Sequence, residues 1–325
     1  MEKYYLGIDI GGSKTHALIA TGDGKIVSFA SGGPGNPFSV SLDGMKCVVN
    51  DILKETLTQA GLKQEHIAGA GFGIAGYDWK EDREPLTRVI SSIDLQAPFE
   101  IVNDAVLGLL AGTRHGWGVA VVSGTGCNAW GWNRNRSRIG HVTGGGVEMG
   151  EFAGASELIF KAQQAIAHSW TKRGPDTLLA ALFVDYCGAK NLTDLLAGIM
   201  HGKYILDAPA APLVFQAAKD GDQVALGLIR WAGKELGEMA KAVIRQLDIA
   251  GESFDIALIG SMFKGSHLLI DAMAESTHQL APAAHLVRLN VPPVVGAFIL
   301  GMESSGLEIT PDKRAQLLGK MEKLL

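Results

Sequence analysis

Hydrophobic and polar positions along the chain follow the same order twice. Near the N-terminus, three short apolar segments with glycine-containing turns between them precede a helical pattern, over residues 4–10, 15–20, 26–30 and 42–60. Short apolar runs are typical of strands, whereas an amphipathic helix repeats its apolar positions every three to four residues. The same order returns over residues 118–123, 128–132, 138–142 and 151–170. This duplication predicts two related α/β domains, each of β-β-β-α-β-α type, that face each other across a cleft.

Further strand and helix patterns complete each predicted domain. They cover residues 67–74, 85–93, 99–102 and 104–112 in the first, and 255–259, 267–279, 285–289 and 294–301 in the second. We therefore expect an N-terminal domain over residues 1–114 and a C-terminal domain over residues 115–325. A helical insertion is expected at about 171–247. A last helix over 312–325 is expected to pack on a domain surface, with a return to the N-terminal domain as one option.

Composition narrows the classes of function. The 325 residues are 47% hydrophobic and 19% charged, which is typical of a globular enzyme. The formal net charge of −5 offers no concentrated basic surface, so we expect no nucleic-acid partner. One local basic run holds Arg134, Arg136 and Arg138 between two predicted strands, and a solvated hairpin tip explains it.

Three widely spaced cysteines, Cys47, Cys127 and Cys187, argue against a disulfide framework or a structural zinc site. The N-terminal sequence MEKYYLGIDIGG lacks a signal-peptide pattern, and no apolar run is long enough to span a bilayer. We therefore expect a cytoplasmic protein with no membrane partner.

Two glycine–hydroxyl turns occupy equivalent places in the two repeats. The first is DIGGSKT, with Gly11, Gly12, Ser13, Lys14 and Thr15, and the second is SGTGCN, with Gly124, Thr125 and Gly126. The first is not a Walker A loop, because Ser13 stands where the lysine would be. An ordinary glycine hairpin would explain either turn alone. Their repetition favours loops whose N–H groups surround a phosphate.

Other candidates follow later strands. Asp104 stands between a short strand and a helix, where it could cap the helix or act as general base for a hydroxyl. The run LIGSMFK, with Gly260, Ser261 and Lys264, is a turn suited to adenine or ribose. The run GFGIAG matches G-x-G-x-x-G, but the charged segment YDWKEDREP follows it. We therefore interpret its last glycine, Gly76, as part of a substrate-side turn rather than a dinucleotide site.

In this order and spacing the motifs resemble the N-acetylglucosamine kinase family, within the BadF-type ATPases of the actin-like, sugar-kinase superfamily. The resemblance covers essentially the whole chain. It implies two ribonuclease-H-like (actin-like ATPase) domains and the transfer of a phosphoryl group from ATP, with Mg²⁺, to a sugar hydroxyl. N-acetylglucosamine, converted to its 6-phosphate, is the first expected substrate. A homodimer is also expected.

The resemblance implies roles for individual residues. Asp104 matches the catalytic Asp, and Asp9 is expected to act on Mg²⁺ and its waters. Both glycine turns, together with Gly260, Ser261 and Lys264, are expected to bind ATP. The expected sugar-binding residues are Asn36, Gly76, Asp104, Asn128, Gly144, Gly145, Gly146 and Glu151.

One segment departs from the family pattern. Characterised animal-type kinases usually show Gly-Trp-Gly and a nearby Asp, where this chain has Gly145 and Glu151, and Ile10 replaces a common Gly. The lost indole and the longer carboxylate predict an altered sugar pocket. Glucosamine and N-acetylmuramic acid therefore stay open as alternative substrates.

Two other classes of function resemble parts of this pattern. Activator ATPases of 2-hydroxyacyl-CoA dehydratases hold an iron–sulfur cluster through cysteines. Here Cys127 lies inside a phosphate-loop candidate and Cys187 in a predicted helix, which is the wrong context for a cluster. Sugar-sensing repressors carry an added helix-turn-helix domain, whereas this sequence begins directly with the strand of the first glycine turn.

Overall fold

The computed structural model describes residues 2–93 and 95–322, which form two five-stranded sheets. The strands of the first sheet are β1 (Tyr4–Ile10), β2 (Thr15–Thr21), β3 (Ile26–Gly32), β4 (Ile67–Ile74) and β5 (Phe99–Asn103). Their order is β3-β2-β1-β4-β5. Strands β1, β2 and β3 pair antiparallel, whereas β4 pairs parallel with both β1 and β5.

The second sheet reproduces the first strand by strand. It contains β6 (Gly118–Ser123), β7 (Cys127–Trp132), β8 (Ile139–His141), β9 (Phe254–Ile259) and β10 (Ala284–Arg288). Read from β8, its order is β8-β7-β6-β9-β10, with the same antiparallel and parallel pairings. The predicted duplication and the two-domain α/β fold are confirmed.

The described part of the chain contains eleven α-helices. They are α1 (Pro37–Ala60), α2 (Arg83–Ser91), α3 (Asp104–Gly112), α4 (Ala155–Trp170), α5 (Leu179–Cys187), α6 (Leu192–Met200), α7 (Ala211–Lys219), α8 (Gln223–Leu247), α9 (His267–His278), α10 (Val294–Ser304) and α11 (Pro311–Met321). Because helices cover both faces of each sheet, the central strands β1 and β6 are almost entirely buried.

Helix α10 joins the two halves of the molecule. It packs on β1 and β4 of the first sheet and on α3, which in turn contacts β6 and β9 of the second sheet. Glycines in β4 allow this contact, since a Cβ at Gly69 or Gly71 would lie 2.2 Å from the carbonyl oxygen of Gly301 or Ala297. Two glycines of the G-x-G-x-x-G match therefore have packing roles, because Gly73 similarly faces Leu107 of α3.

The second domain differs from the sequence expectation in its helices. The helix that lies across β6, β7 and β8, as α1 lies across β2 and β3, is α8 and not α4. Helix α4 begins at Ala155 rather than at residue 151 and packs on α7 and α8. In α11, Leu317 and Met321 pack with residues of β1 and β2. Residues 323–325 of the predicted last helix lie outside the described residues.

Candidate active site

Asp104 begins α3 at the carboxyl end of β5. The preceding residue, Asn103, caps the helix by accepting a hydrogen bond from the N–H of Ala105 over 2.9 Å. The capping function that could have explained Asp104 thus belongs mainly to Asn103. Burial, followed by the charge of Asp78, raises the pKa of Asp104 to about 6. A carboxylate with this pKa is largely ionised at neutral pH and is still basic enough to accept a proton.

A second carboxylate lies within electrostatic reach of Asp104. Asp9 is near the end of β1, directly before the first glycine turn. Burial and then the charge of Asp104 raise the pKa of Asp9 to about 7, and the opposing charge of Lys14 lowers it. Such shifts are typical of carboxylates gathered at functional sites. The fold thus brings together the predicted catalytic and metal-binding residues.

Asp78, a residue that the sequence analysis did not select, completes this group of carboxylates. It follows β4 and accepts a hydrogen bond from Asn103 Nδ2 over 3.1 Å. Burial raises its pKa, whereas hydrogen bonding from the side chains of Asn103 and Asn128 lowers it. A Cβ at Gly144 would lie 3.4 Å from the Asp78 carboxyl group. The segment GYDWKED holds three acids after a glycine at a strand end, and this was the signal that could have found Asp78.

The first glycine turn is a tight hairpin between β1 and β2. The Gly11 N–H donates to the Lys14 carbonyl over 3.0 Å, and the Gly35 N–H donates to the Gly11 carbonyl over 3.0 Å. Gly12, Ser13 and Lys14 are exposed, and a Cβ at Gly12 would meet no atom within 4 Å. Thr15 differs, since its hydroxyl is buried and has no hydrogen-bond partner in the described part of the chain.

The second glycine turn rests on the N-terminus of α4. The carbonyls of Gly124 and Thr125 accept hydrogen bonds from the N–H groups of Ala155 and Ser156, over 2.8 and 3.0 Å. Thr125 and Gly126 are exposed. A Cβ at Gly124 or Gly126 would meet no atom within 4 Å. The backbone at these two residues is therefore open to a phosphate.

The third glycine turn lies directly against the second. Gly260 follows β9 with a φ of +113°, and a Cβ there would lie 2.2 Å from the carbonyl oxygen of Ser123. Ser261 and Lys264 are exposed beside it. The three segments predicted to bind ATP thus lie at the ends of β1, β6 and β9.

The residues predicted to bind the sugar form two groups. On the first domain, Asn36 caps α1 through the N–H of Phe38 over 2.9 Å. A Cβ at Gly76 would lie 2.8 Å from Asn36 Oδ1, so these two residues are neighbours. Gly76 has a φ of +86° and Phe38 is 75% exposed, so the aromatic ring is free to contact a ligand.

On the second domain, Asn128 approaches Asp78, and the glycine loop 144–146 follows β8. Glu151 is buried and supports this loop, because its Oε1 accepts hydrogen bonds from the N–H and hydroxyl of Thr143 over 2.6 and 2.8 Å. Its Oε2 is buried without a partner in the described residues. Met149 lies over Gly145, whose Cβ would be 2.4 Å from Met149 Cγ.

A cavity of about 780 Å³ lies between the two domains, and one of these carboxylates, Asp78, lines it. Its walls come from the loop after β4 and from β5 on one side, and from β7 and β8 on the other. Asp78 and Asn103 lie in its lining, as do Trp79, Trp130 and His141. The imidazole of His141 stacks on Trp130 with ring centroids 4.5 Å apart. A cavity is therefore present between the domains, and it reaches Asn103, the residue before Asp104.

The side chains that could act as metal ligands fit a cation bound together with a nucleotide better than a cation enclosed by the protein alone. Over residues 2–93 and 95–322, no three His, Cys, Asp or Glu side chains form a group that could hold a metal ion. Mg²⁺ commonly binds through one or two carboxylates together with substrate phosphates. Asp9, at the edge of the first glycine turn, fits that pattern.

The profile of the BadF/BadG/BcrA/BcrD ATPase family matches residues 6–301. The chain belongs to this family. It is 28% identical over 300 residues to an N-acetylmuramic acid/N-acetylglucosamine kinase of Clostridium acetobutylicum, which covers 92% of this chain and 98% of that protein. It is 23% identical over 316 residues to an N-acetyl-D-glucosamine kinase of Dictyostelium discoideum, over 93% of this chain and 99% of that protein.

Solved structures of other proteins share the fold of this chain. A Chromobacterium violaceum protein, described provisionally as an N-acetylglucosamine kinase, superposes with a TM-score of 0.68 at 25% identity, over 92% of this chain and 99% of that chain. A glucokinase of the ROK family from Streptomyces griseus, in complex with glucose and AMPPNP, superposes with a TM-score of 0.57 at 19% identity, over 92% and 99%. The family predicted from the motifs is confirmed.

In the described residues, no helix is both long enough and apolar enough to cross a membrane.

Proposed function

We propose that this ATPase-family member is a sugar kinase that transfers a phosphoryl group from ATP to a hydroxyl of an amino sugar, with N-acetylglucosamine, converted to its 6-phosphate, as the first candidate. The observation that carries the proposal is Asp104, a carboxylate at the carboxyl end of β5 that adjoins Asn103 and Asp78 of the interdomain cavity and has its pKa raised by burial to about 6. Relatives that act on N-acetylglucosamine align over nearly the whole chain and support the same conclusion.

Asp104 serves as the general base in this proposal. Its carboxylate accepts the proton of the sugar hydroxyl, and general-base catalysis by a positioned group contributes about 10²–10⁴ in rate. Asn36 and Gly76 from the first domain, and Asn128 and the 144–146 loop from the second, orient the sugar. Glu151 acts by holding that loop through Thr143.

The nucleotide binds along the three glycine turns. Open backbone at Gly12, Gly124 and Gly126 leaves room for the phosphates, and Gly260 with Ser261 lies beside the adenosine. Asp9 would hold Mg²⁺ through its waters, and Mg²⁺·ATP supplies the phosphoryl group and neutralises charge on the phosphates when it is bound. Closure of the domains over the cleft excludes water from the reaction.

N-acetylmuramic acid is the second candidate substrate. The name of the Clostridium relative includes it. In this chain the 144–146 loop is exposed and carries Gly145, with Met149 as the apolar side chain over it. Because this loop has no indole at position 145, we expect it to accept a substituent on the sugar. Glucosamine, a smaller acceptor, is the third candidate.

A screen of sugars tests the proposal. ADP release is measured with N-acetylglucosamine, N-acetylmuramic acid, glucosamine, N-acetylmannosamine and glucose, and phosphorus NMR identifies the phosphorylated position. We expect sugar-dependent ADP release that requires Mg²⁺ and stops on chelation. ADP release that is equal with and without every sugar would refute the kinase proposal and favour a plain ATPase.

We also propose a cytoplasmic homodimer. Exposed apolar side chains on the helices of the second domain support a contact surface, among them Phe160, Trp170, Tyr186 and Met200. Light scattering after gel filtration measures the mass, and a monomer at micromolar concentration would refute the dimer.

A further inference from the structure

Asp78 connects the two domains at the centre of the site. It belongs to the first domain and lies in the loop after β4. Asn103 Nδ2, also of the first domain, donates to its Oδ1 over 3.1 Å and to the Tyr77 carbonyl over 3.0 Å. Asn128, on β7 of the second domain, is near enough to hydrogen-bond to the same carboxyl group. One carboxylate thus contacts side chains from both walls of the cleft.

The contact with Asn103 continues to Asp104. The Asn103 side chain uses its amide nitrogen for Asp78 and its oxygen for the N–H of Ala105. An amide held at both ends cannot rotate without breaking one of these hydrogen bonds. Asp78 therefore fixes the cap of α3, and the cap fixes the first turn, in which Asp104 lies.

The charged groups around Asp78 add to the free-energy cost of burying its ionised carboxylate. Asp82 on the same loop and Asp104 on α3 are like charges, and His141 on β8 is the opposing group. Asp104 also repels Asp9 on β1, whereas the positive charge of Lys14 in the first turn attracts Asp9. The backbone N–H groups of Asp78 and Trp79 are bound by Asp82 and not by Asp78 itself. An amide at position 78 would keep one acceptor oxygen without a desolvated charge, so the ionised carboxylate is a cost to folding rather than a requirement of it.

We propose that Asp78 is a positioning residue of the phosphoryl-transfer site, which aligns Asn103 and Asn128 across the domain boundary and so sets Asp104 and the acceptor hydroxyl relative to each other. The inference rests on the proposed kinase function. It assigns to the loop after β4 a role that the motifs at the strand ends do not include.

Two variants separate the effect of the hydrogen bonds of Asp78 from the effect of its charge. Asp78→Asn keeps the shape and one acceptor but removes the charge, so Asp104 should ionise at lower pH. We expect the acid limb of kcat/KM to move down by about one pH unit, since the charge of Asp78 is one of the causes that raise the pKa of Asp104. Asp78→Ala also removes the hydrogen bonds, and we expect kcat to fall about tenfold or more, the effect of losing one hydrogen bond to a charged group.

A readout independent of activity accompanies the kinetics. In protein with ¹³C-labelled aspartate and no Mg²⁺ or sugar, the carboxyl resonance of Asp104 is assigned by its loss in Asp104→Asn and is titrated by NMR. We expect a lower midpoint in Asp78→Asn than in the wild type. Asp271→Asn is the matched control, because Asp271 is exposed on α9. It should leave the midpoint and the kinetics unchanged.

The outcomes distinguish this inference from the function on which it rests. An unchanged midpoint, with wild-type kcat and acid limb in Asp78→Asn and Asp78→Ala, would overturn the role of Asp78. If Asp78→Ala unfolds, Asp78→Asn decides, and wild-type behaviour there would leave only a structural role. If no sugar is phosphorylated but the midpoint still falls, the kinase proposal fails while the link between Asp78 and Asp104 stands.

Discussion

Two neighbouring residues at the end of β5 have separate roles. Asn103 is 2% exposed and uses its side chain for the helix cap, whereas Asp104 extends toward the other carboxylates. A polar pair at a strand–helix junction therefore supplies the helix cap with one residue and a candidate catalytic carboxylate with the next. This separation makes Asp104 open to substitution without loss of the helix.

Replacing Asp104 by Asn tests the catalytic base. We expect kcat to fall by about two orders of magnitude or more, because the amide cannot accept the hydroxyl proton. The thermal midpoint should rise or stay the same, since a desolvated carboxylate is removed and the Asn103 cap is kept. Calorimetry should give an unchanged ATP affinity. A folded Asp104→Asn enzyme with near wild-type turnover would exclude Asp104 as the base.

A matched variant addresses the cap. Asn103→Ala should lower the free energy of unfolding by about 1 kcal/mol, the usual effect of losing an N-cap side chain. It should also reduce activity, because Asp78 loses its partner. Equal stability of the wild type and Asn103→Ala in urea would show that the cap is supplied by another group.

At the scale of elements, the three glycine turns use glycine for different reasons. Gly12, Gly124 and Gly126 have open space where a Cβ would stand. Gly260 instead packs against the Ser123 carbonyl with a positive φ, which favours glycine. Open positions leave room for a ligand, whereas the packed one holds two loops together.

Gly124→Val and Gly260→Val should therefore behave differently. Gly124→Val adds a side chain on the open face, so the protein should fold normally and bind ATP about tenfold more weakly or worse, the equivalent of one lost hydrogen bond. Gly260→Val should lower the thermal midpoint, because its Cβ overlaps backbone atoms. Calorimetry and thermal melting measure both. Wild-type ATP affinity in folded Gly124→Val would mean that the second turn does not bind the phosphates.

At the scale of the whole molecule, an ion network connects the second sheet to the C-terminal helices. Glu303 of α10 accepts from Arg136 of the β7–β8 hairpin over 2.7 Å and from Arg314 of α11 over 2.9 Å. Arg314 is 1% exposed and also donates to the Leu110 carbonyl of α3. Burial lowers the pKa of Arg314 to about 10. The solvated hairpin tip expected from the sequence is wrong for Arg136, although Arg134 and Arg138 are exposed.

Glu303→Ala tests this network. The change leaves two arginines without their shared carboxylate, one of them buried, and should lower the free energy of unfolding by about 3 kcal/mol. Glu308→Ala, at an exposed position in the loop after α10, is the control and should stay within about 0.5 kcal/mol of the wild type. Urea unfolding measures both. Equal midpoints for the two variants would show that the network contributes nothing to stability.

The local features of the fold and the site could be predicted from the sequence by itself. Local sequence patterns predict the repeated β-β-β-α order and the glycine turns at equivalent strand ends. They also place Asp104 at a strand–helix junction. Strand length, helical period and turn chemistry depend on contacts a few residues apart, so the residue pattern determines them. The predicted ATP, sugar and metal residues themselves stay predictions until binding is measured.

Tertiary structure decided the rest. It placed α8 rather than α4 across β6–β8, returned α10 to the first sheet and set Gly71 and Gly73 against helices. It also brought Asp78 to within hydrogen-bonding distance of Asn103 and next to Asn128, 25 and 50 residues away along the chain. Such contacts depend on how the two sheets pack around α3 and α10, and no period or turn signal in the sequence records that packing. For this reason, the position of Asp78 beside Asn103 and Asn128 could be seen only in the folded chain.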